Sequence, residues 1–170
     1  TEYIVALHQG NNLPLAAKQE IAAKLNKLTG INSETILKTN LRINPSFFRA
    51  TLLKDKNKVL GRFDARLAWP AVDSVHGYPP FDPSYAVARG PFTNAMMAYL
   101  TDDLGWEDKR VYEILTGKVH AWKWNSSNSY VNVSSKIAAA MQENPHLKVL
   151  VQCGHTDLAT PAGGILHSVD

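Results

Sequence analysis

The segment from Leu147 to Pro161 constrains the fold most, because a short apolar run there leads directly into a loop that carries an acid. The run includes two β-branched residues and is formed by Leu147, Val149, Leu150 and Val151. This pattern is typical of a central strand covered on both faces. Gly154 ends the run and Asp157 follows shortly after it. Functional groups collect beyond the carboxyl ends of strands in open parallel sheets, so we expect Asp157 to lie there and to orient a histidine.

The residues around this run complete one repeat of an α/β pattern. Ser134 or Ser135 begins a predicted helix that continues to Glu143, and Asn144-Pro145 ends it ahead of the strand. A further helix is expected after the acidic loop. The order helix, buried strand, acidic loop and helix is one turn of a doubly wound α/β fold.

The rest of the chain is predicted to be mostly helical. Apolar spacing and stop signals predict helices over Glu2–Gln9, Pro14–Gly30, Ser33–Lys38, Pro45–Lys54 and Thr93–Leu104. Val59 to Leu67 alternates apolar and charged residues, with one exception at Leu60, and predicts a half-buried strand. Residues 69–91 contain five prolines and two glycines, so we expect little regular structure there. A loop of that length tends to line or cover a site.

Several motifs resemble one enzyme family when they are taken together and in order. They are Asn40-Leu41-Arg42-Ile43, Gly61-Arg62-Phe63-Asp64-Ala65-Arg66, Asp82-Pro83-Ser84, Gly90-Pro91-Phe92-Thr93, Asn144-Pro145-His146-Leu147-Lys148-Val149, and Gly154-His155-Thr156-Asp157-Leu158-Ala159-Thr160-Pro161. The last is similar to the acid-bearing loop of the serine carboxypeptidase family of α/β-hydrolases, in particular its bacterial members. The resemblance spans nearly the whole chain but covers less than half of the family's length.

The resemblance implies both fold and domain organisation. Residues 1–129 resemble the mostly helical cap that is inserted into the hydrolase core, and residues 130–170 resemble a helix, strand and acid loop of that core. The expected fold class is therefore α/β, as part of an α/β-hydrolase. The cap would wall off the cleft, and the aromatic candidates for substrate contact are Trp69, Tyr78, Phe81, Tyr85, Trp122 and Trp124. Packing within the cap is the alternative role for these side chains.

The resemblance also implies an activity, removal of C-terminal residues from peptides or hydrolysis of small esters. Of the Ser-Asp-His triad, Asp157 alone is expected in this chain. A nucleophile elbow needs the pattern Gly-x-Ser-x-Gly, and no serine of the chain meets it. His167 is the only histidine after Asp157, but it falls within the helix predicted after the loop. We therefore expect an internal piece of a larger hydrolase, inactive alone, whose partners are its substrate and the remaining segments of the same enzyme.

Composition excludes several other classes. The chain has 18 Lys and Arg against 15 Asp and Glu, with no dense basic run, so a nucleic-acid partner is not expected. No stretch has the length of a membrane span, and neither a cofactor nor a metal site is predicted. The resemblance favours a secreted or periplasmic location, which no signal in the chain supports. A different class stays open, a non-catalytic hydrolase-like binding module or cap that acts with a partner chain.

Overall fold

The computed structural model describes residues 2–71, 81–118 and 131–169. The helices are α1 (Glu2–Gln9), α2 (Leu15–Thr29), α3 (Ser33–Lys38), α4 (Pro45–Thr51), α5 (Pro83–Ala98), α6 (Ser134–Glu143) and α7 (Ala162–Val169). Short 3-10 turns lie at Gly10–Asn12 and Lys54–Lys56, and a π-helical turn, Tyr99–Asp103, extends α5. Strands β1 (Lys58–Leu60) and β2 (Ala68–Pro70) complete the described elements. The fold is thus mixed, with helices predominating and a small antiparallel sheet.

The chain divides into two compact units, Thr1–Ser84 (unit 1) and Tyr85–Asp170 (unit 2). The boundary predicted from the family resemblance, between residues 129 and 130, lies outside the described residues and stays a prediction.

Unit 1 is built around helices α1, α2 and α3, whose apolar faces meet in one cluster. The buried members of this cluster are Ala6, Ile21, Ala22, Ile31, Ile36 and Leu41. The Tyr3 hydroxyl on α1 donates to the carbonyl of Leu41 at 2.7 Å. Leu41 lies three residues after α3, so this bond links the two helices. Gly30 ends α2 at a left-handed φ of 75°, as the sequence predicted.

Side-chain caps fix the starts of the short helices α3 and α4. The Asn32 side chain accepts from Glu34 N at 2.8 Å, and the Asn44 side chain accepts from Phe47 N at 2.9 Å. Asn32 therefore caps α3, which begins at Ser33 as predicted. Such caps satisfy amides that have no partner within the helix.

The predicted strand from Val59 to Leu67 is a hairpin instead. β1 pairs antiparallel with β2 in the register Val59 to Trp69, and residues 61–67 form the connection. Asp64 turns that connection by accepting from Arg66 N at 3.0 Å and by pairing with the Arg66 guanidinium at 2.7 Å. β1 also packs on α4. The predicted strand is therefore confirmed only at Val59 and Leu60 and is wrong for residues 61–67, which alternate in polarity but form the connection.

Helix α5 begins ten residues before its predicted start at Thr93, so the expectation of little regular structure up to residue 91 is wrong for its final part. Asp82 precedes the helix, accepts from Ser84 N at 3.1 Å, and is followed by Pro83 as the first helical residue. Both features favour a helix start. Pro91 lies inside the helix, where it removes one backbone donor without ending it.

The predicted buried strand at residues 147–151 is wrong as a description of this structure. Residues 147–151 are described and form no strand, and Leu150 is 79% exposed. A strand buried on both faces needs hydrogen-bonded neighbours and covering helices. None of the described residues forms a strand that is hydrogen-bonded to this segment.

The apolar cluster of unit 1 predicts a clear difference between buried and exposed positions. Ile36 is fully buried, whereas Leu28 on the neighbouring α2 is 83% exposed. Ile36→Ala should lower the free energy of unfolding by about 2–5 kcal/mol, because it leaves a cavity. Leu28→Ala should change it by no more than about 0.5 kcal/mol. Urea unfolding followed by circular dichroism checks both values, and equal effects would contradict this core.

Candidate functional site

The Asp157 carboxylate is held by a tight local turn in unit 2. Its Oδ1 accepts from Ala159 N at 2.7 Å and from Thr160 N at 3.1 Å. Its Oδ2 accepts from the Thr160 hydroxyl at 2.6 Å. Donors to both oxygens fix the plane of the carboxylate, which is half-buried. A carboxylate fixed in this way can act as a directional hydrogen-bond acceptor, and the same bonds also serve a turn-forming role.

The turn follows directly from the residues that flank the acid. Aspartate accepts readily from amides two and three residues ahead. The Gly154 carbonyl accepts from Asp157 N at 3.4 Å and starts the turn. Pro161 directly precedes α7, and its carbonyl accepts from Gly164 N at 2.9 Å. Gly154 and Pro161 therefore bracket the acid between the apolar run and α7, which is the order that the sequence predicted.

No described histidine is hydrogen-bonded to Asp157. His155 is exposed, and His167 is exposed in the last turn of α7, without an ion pair or hydrogen bond to the acid. Cys153 is a free, half-buried thiol. The Asp157 turn therefore orients the acid through bonds from Ala159 and Thr160.

The predicted substrate-binding aromatics divide into three groups. Trp69 on β2 and Phe81 approach each other in unit 1, with ring centroids 6.2 Å apart at an angle of 45°. Tyr85 lies on α5 in unit 2, where the Arg89 guanidinium is 5.9 Å from its ring centroid. Tyr78, Trp122 and Trp124 lie outside the described residues. Trp69 is 41% exposed and Phe81 is half-buried, so this pair retains surface for contact.

A buried polar cluster around Arg49 was missed by the sequence analysis. Arg49 on α4 is 5% exposed and donates from Nε to the Leu60 carbonyl at 2.9 Å. Its Nη2 lies 3.5 Å from Asp82 Oδ1 and has no hydrogen-bond partner in the described structure. No local pattern marks Arg49, because its partners are distant along the chain and are brought together by folding.

Asp82 joins this cluster to the start of α5. Its Oδ1 accepts from Arg62 N at 2.8 Å and from the Ser84 hydroxyl at 2.7 Å. The Ser84 hydroxyl oxygen also accepts from Phe63 N at 2.9 Å. Ser84 approaches so closely that a Cβ added to Gly61 would lie 2.8 Å from the Ser84 Cβ, so glycine is required there. Asp82 thus accepts both from Ser84 N, two residues ahead, and from Arg62 N, twenty positions back along the chain.

Burial and pairing act in opposite directions on the two charged groups of the cluster. Burial by itself would raise the pKa of Asp82, but bonds from Ser84 and Arg62 N and the charge of Arg49 outweigh it, so the pKa is lowered. Burial lowers the pKa of Arg49, and the charge of Asp82 partly restores it. The fold therefore favours the ionised form of Asp82, whereas burial disfavours the charged form of Arg49.

Among the described residues, no group of three or more His, Cys, Asp or Glu side chains is arranged to hold a metal ion. None of the described helices combines the length and apolarity needed to span a membrane. Comparisons of the chain with protein-family models, curated proteins and solved structures found no match.

The lowered pKa of Asp82 predicts how the stability of unit 1 depends on pH. The unfolded-state pKa of an aspartate is near 3.9. An aspartate whose pKa is lower than this in the folded state stabilises the folded protein at higher pH, and this stabilisation is lost as the pH falls through the folded-state pKa. Asp82→Asn should therefore destabilise the protein at pH 7 and make less difference as the pH falls below about 4. Urea unfolding between pH 7 and pH 3 measures this change.

The control for this experiment is Asp55→Asn, since Asp55 is an exposed acid in the second 3-10 turn. It should unfold like the parent protein throughout the range. A constant difference between Asp82→Asn and the parent at every pH would contradict an ionised Asp82 in the folded state.

Proposed function

We propose that this chain is part of a serine carboxypeptidase-like α/β-hydrolase, with Asp157 as the acid of its catalytic triad. Residues 130–170 would contribute a helix, a strand and the acid loop to the doubly wound core. Residues 1–129 would form the cap over the cleft. The serine and histidine would come from polypeptide beyond this sequence.

One observation carries the proposal, the exposed apolar surface on both sides of the Asp157 turn. The side chains concerned are Ile137, Met141, Leu147, Val149, Leu150, Val151, Leu166 and Val169. Burying one such side chain completely would contribute roughly 1.5–3 kcal/mol. Neighbouring strands of a hydrolase sheet would cover this surface. The same addition would convert residues 147–151 into the buried strand that their composition favours.

In the proposed mechanism Asp157 orients and stabilises the histidine. The carboxylate would accept from one imidazole nitrogen and so leave the other nitrogen free to take the serine proton. It would then stabilise the imidazolium that forms. The amides of Ala159 and Thr160 and the Thr160 hydroxyl hold the carboxylate plane, so its orientation need not be established during the reaction.

The substrate would be a peptide that loses its C-terminal residue, or a small ester. We assign the cap aromatics Trp69, Tyr78, Phe81, Tyr85, Trp122 and Trp124 to the walls of the cleft. The exposure of Trp69 and its contact with Phe81 support this assignment for that pair. Aromatic walls would exclude water and select apolar substrates.

The longest reading frame that contains this sequence provides the test. Its product should carry Gly-x-Ser-x-Gly before this segment and a histidine after it. It should also react with a fluorophosphonate at that serine and hydrolyse blocked dipeptides. Asp157→Asn should lower turnover by about 10⁴, because the imidazole then loses its anionic partner.

A matched control is Asp103→Asn, at an exposed acid in the π-helical turn, which should retain full turnover. The 170-residue chain by itself should not react with the probe. Turnover that survives Asp157→Asn, or a reading frame without the serine motif, would exclude this function.

A further inference from the structure

Trp106 is an exposed tryptophan whose backbone is fixed against the end of the α5 segment. The π-helical turn Tyr99–Asp103 is followed by Gly105 at a left-handed φ of 62°, which reverses the chain. Trp106 N then donates to the Leu100 carbonyl at 2.8 Å. Trp106 nevertheless remains 55% exposed. An aromatic side chain that is placed by its backbone and still exposed can serve as a contact surface for a ligand.

Trp106 lines an open cavity of about 680 Å³ that belongs to unit 2. Met97 and Leu100 line this cavity from the α5 side, and Tyr112 lines it from the segment that follows Trp106. Tyr112 N donates to Met97 Sδ at 3.4 Å, which holds that segment to the helix. The volume falls in the range of small-molecule sites.

The charged side chains that line this cavity form two ion pairs. Arg110 Nε and Nη2 donate to Asp108 Oδ2 at 2.8 and 2.5 Å, and Lys118 Nζ pairs with Glu113 Oε1 at 2.5 Å. The Arg110 bonds lower the pKa of Asp108 to about 2, and the Trp106 side chain acts in the same direction. Both pairs are therefore ionised at neutral pH, and their charges cancel.

A cavity lined by paired charges favours hydroxyl groups over ions. An added anion would compete with a carboxylate for its cation, and an added cation would compete with the guanidinium or ammonium group. A hydroxyl both donates and accepts, so it can bond to both members of an ion pair without separating them. The Trp106 ring beside these pairs presents a negative face, which attracts weakly polarised C–H groups.

We propose that this cavity binds a neutral sugar. The C–H face of a pyranose ring stacks on Trp106, and the ring hydroxyls bond to the pairs Asp108–Arg110 and Glu113–Lys118. A β-glucoside matches this chemistry, because its ring hydroxyls are all equatorial and both faces of the ring present C–H groups. The paired charges select a neutral ligand, and the aromatic side chain selects a ring with an apolar face.

This inference goes beyond the proposed function, because it uses neither the Asp157 turn nor the aromatics assigned to the cleft, and it requires no turnover. It can therefore be tested with the 170-residue chain itself. A failed hydrolase assay would leave it standing, and an absence of sugar binding would leave the triad assignment unaffected.

The experiment is an NMR titration of the chain with methyl β-D-glucopyranoside. The glucoside should bind in the millimolar range or tighter and shift the indole N–H signal of Trp106, which is assigned by its absence in Trp106→Phe. Methyl β-D-glucuronide adds a carboxylate to the same ring and should bind no more tightly. Sorbitol lacks the ring and cyclohexanol lacks all but one hydroxyl, so each should bind at least about tenfold more weakly.

Variants separate the aromatic surface from the ion pairs. Trp106→Ala should weaken the glucoside about tenfold or more, whereas Trp106→Phe should retain part of the affinity. Glu113→Gln leaves Lys118 without its carboxylate and should make the chain prefer the glucuronide over the glucoside. Phe92→Ala is the matched control, because Phe92 is an exposed aromatic of α5 outside this cavity. It should bind like the parent chain.

Any one of four results would overturn the proposal. The first two are the absence of binding at tens of millimolar glucoside, and equal affinity for cyclohexanol and the glucoside, which would show an apolar cavity only. The third is tighter binding of the glucuronide by the parent chain, which would show an anion site. The fourth is unchanged affinity in Trp106→Ala with an unaltered circular dichroism spectrum.

Discussion

Burial of apolar side chains is the constraint on which the rest of this structure depends. Every apolar side chain that is fully buried among the described residues belongs to unit 1, chiefly around Ile31 and Ile36 between α2 and α3. Unit 2 instead exposes apolar side chains on α6, on residues 147–151 and on α7. The two units therefore differ in how far their own contacts can stabilise them.

The polar interactions of each unit follow this difference in burial. In unit 1 the buried Arg49 is compensated by Asp82 and held by the Leu60 carbonyl, since burying a charge without a partner would cost several kcal/mol. In unit 2 most polar contacts are local turns and exposed ion pairs, such as Asp108 with Arg110. The Asp157 turn is of this local kind, and α6 is linked to α7 by a hydrogen bond from the Ser134 hydroxyl to the Ser168 carbonyl.

The parts of the fold that were predictable from sequence are those determined by neighbouring residues. Helical spacing and Gly30 predicted α2 and its end, where Gly30 has a left-handed φ of 75°. The order of the apolar run, the turn at Asp157 and the following helix was also predictable. In contrast, the start of α5 has a local signal in Asp82 and Pro83, but the proline and glycine content of residues 69–91 outweighed that signal in the prediction. The bond that Asp82 accepts from Arg62 N is a distant contact that no local pattern records. Residues 147–151 were predicted as a buried strand from their composition, but a buried strand also needs hydrogen-bonded neighbours, which the described residues do not supply.

Amide hydrogen exchange of the 170-residue chain can test whether unit 1 is stabilised by its own core while residues 131–169 need further polypeptide to cover them. We expect slow exchange in α2 and α3 and fast exchange in α6 and residues 147–151. Protection of residues 147–151 should then appear when the chain is embedded in the product of its longest reading frame. Protection equal to that of α2 in the 170-residue chain by itself would contradict the account.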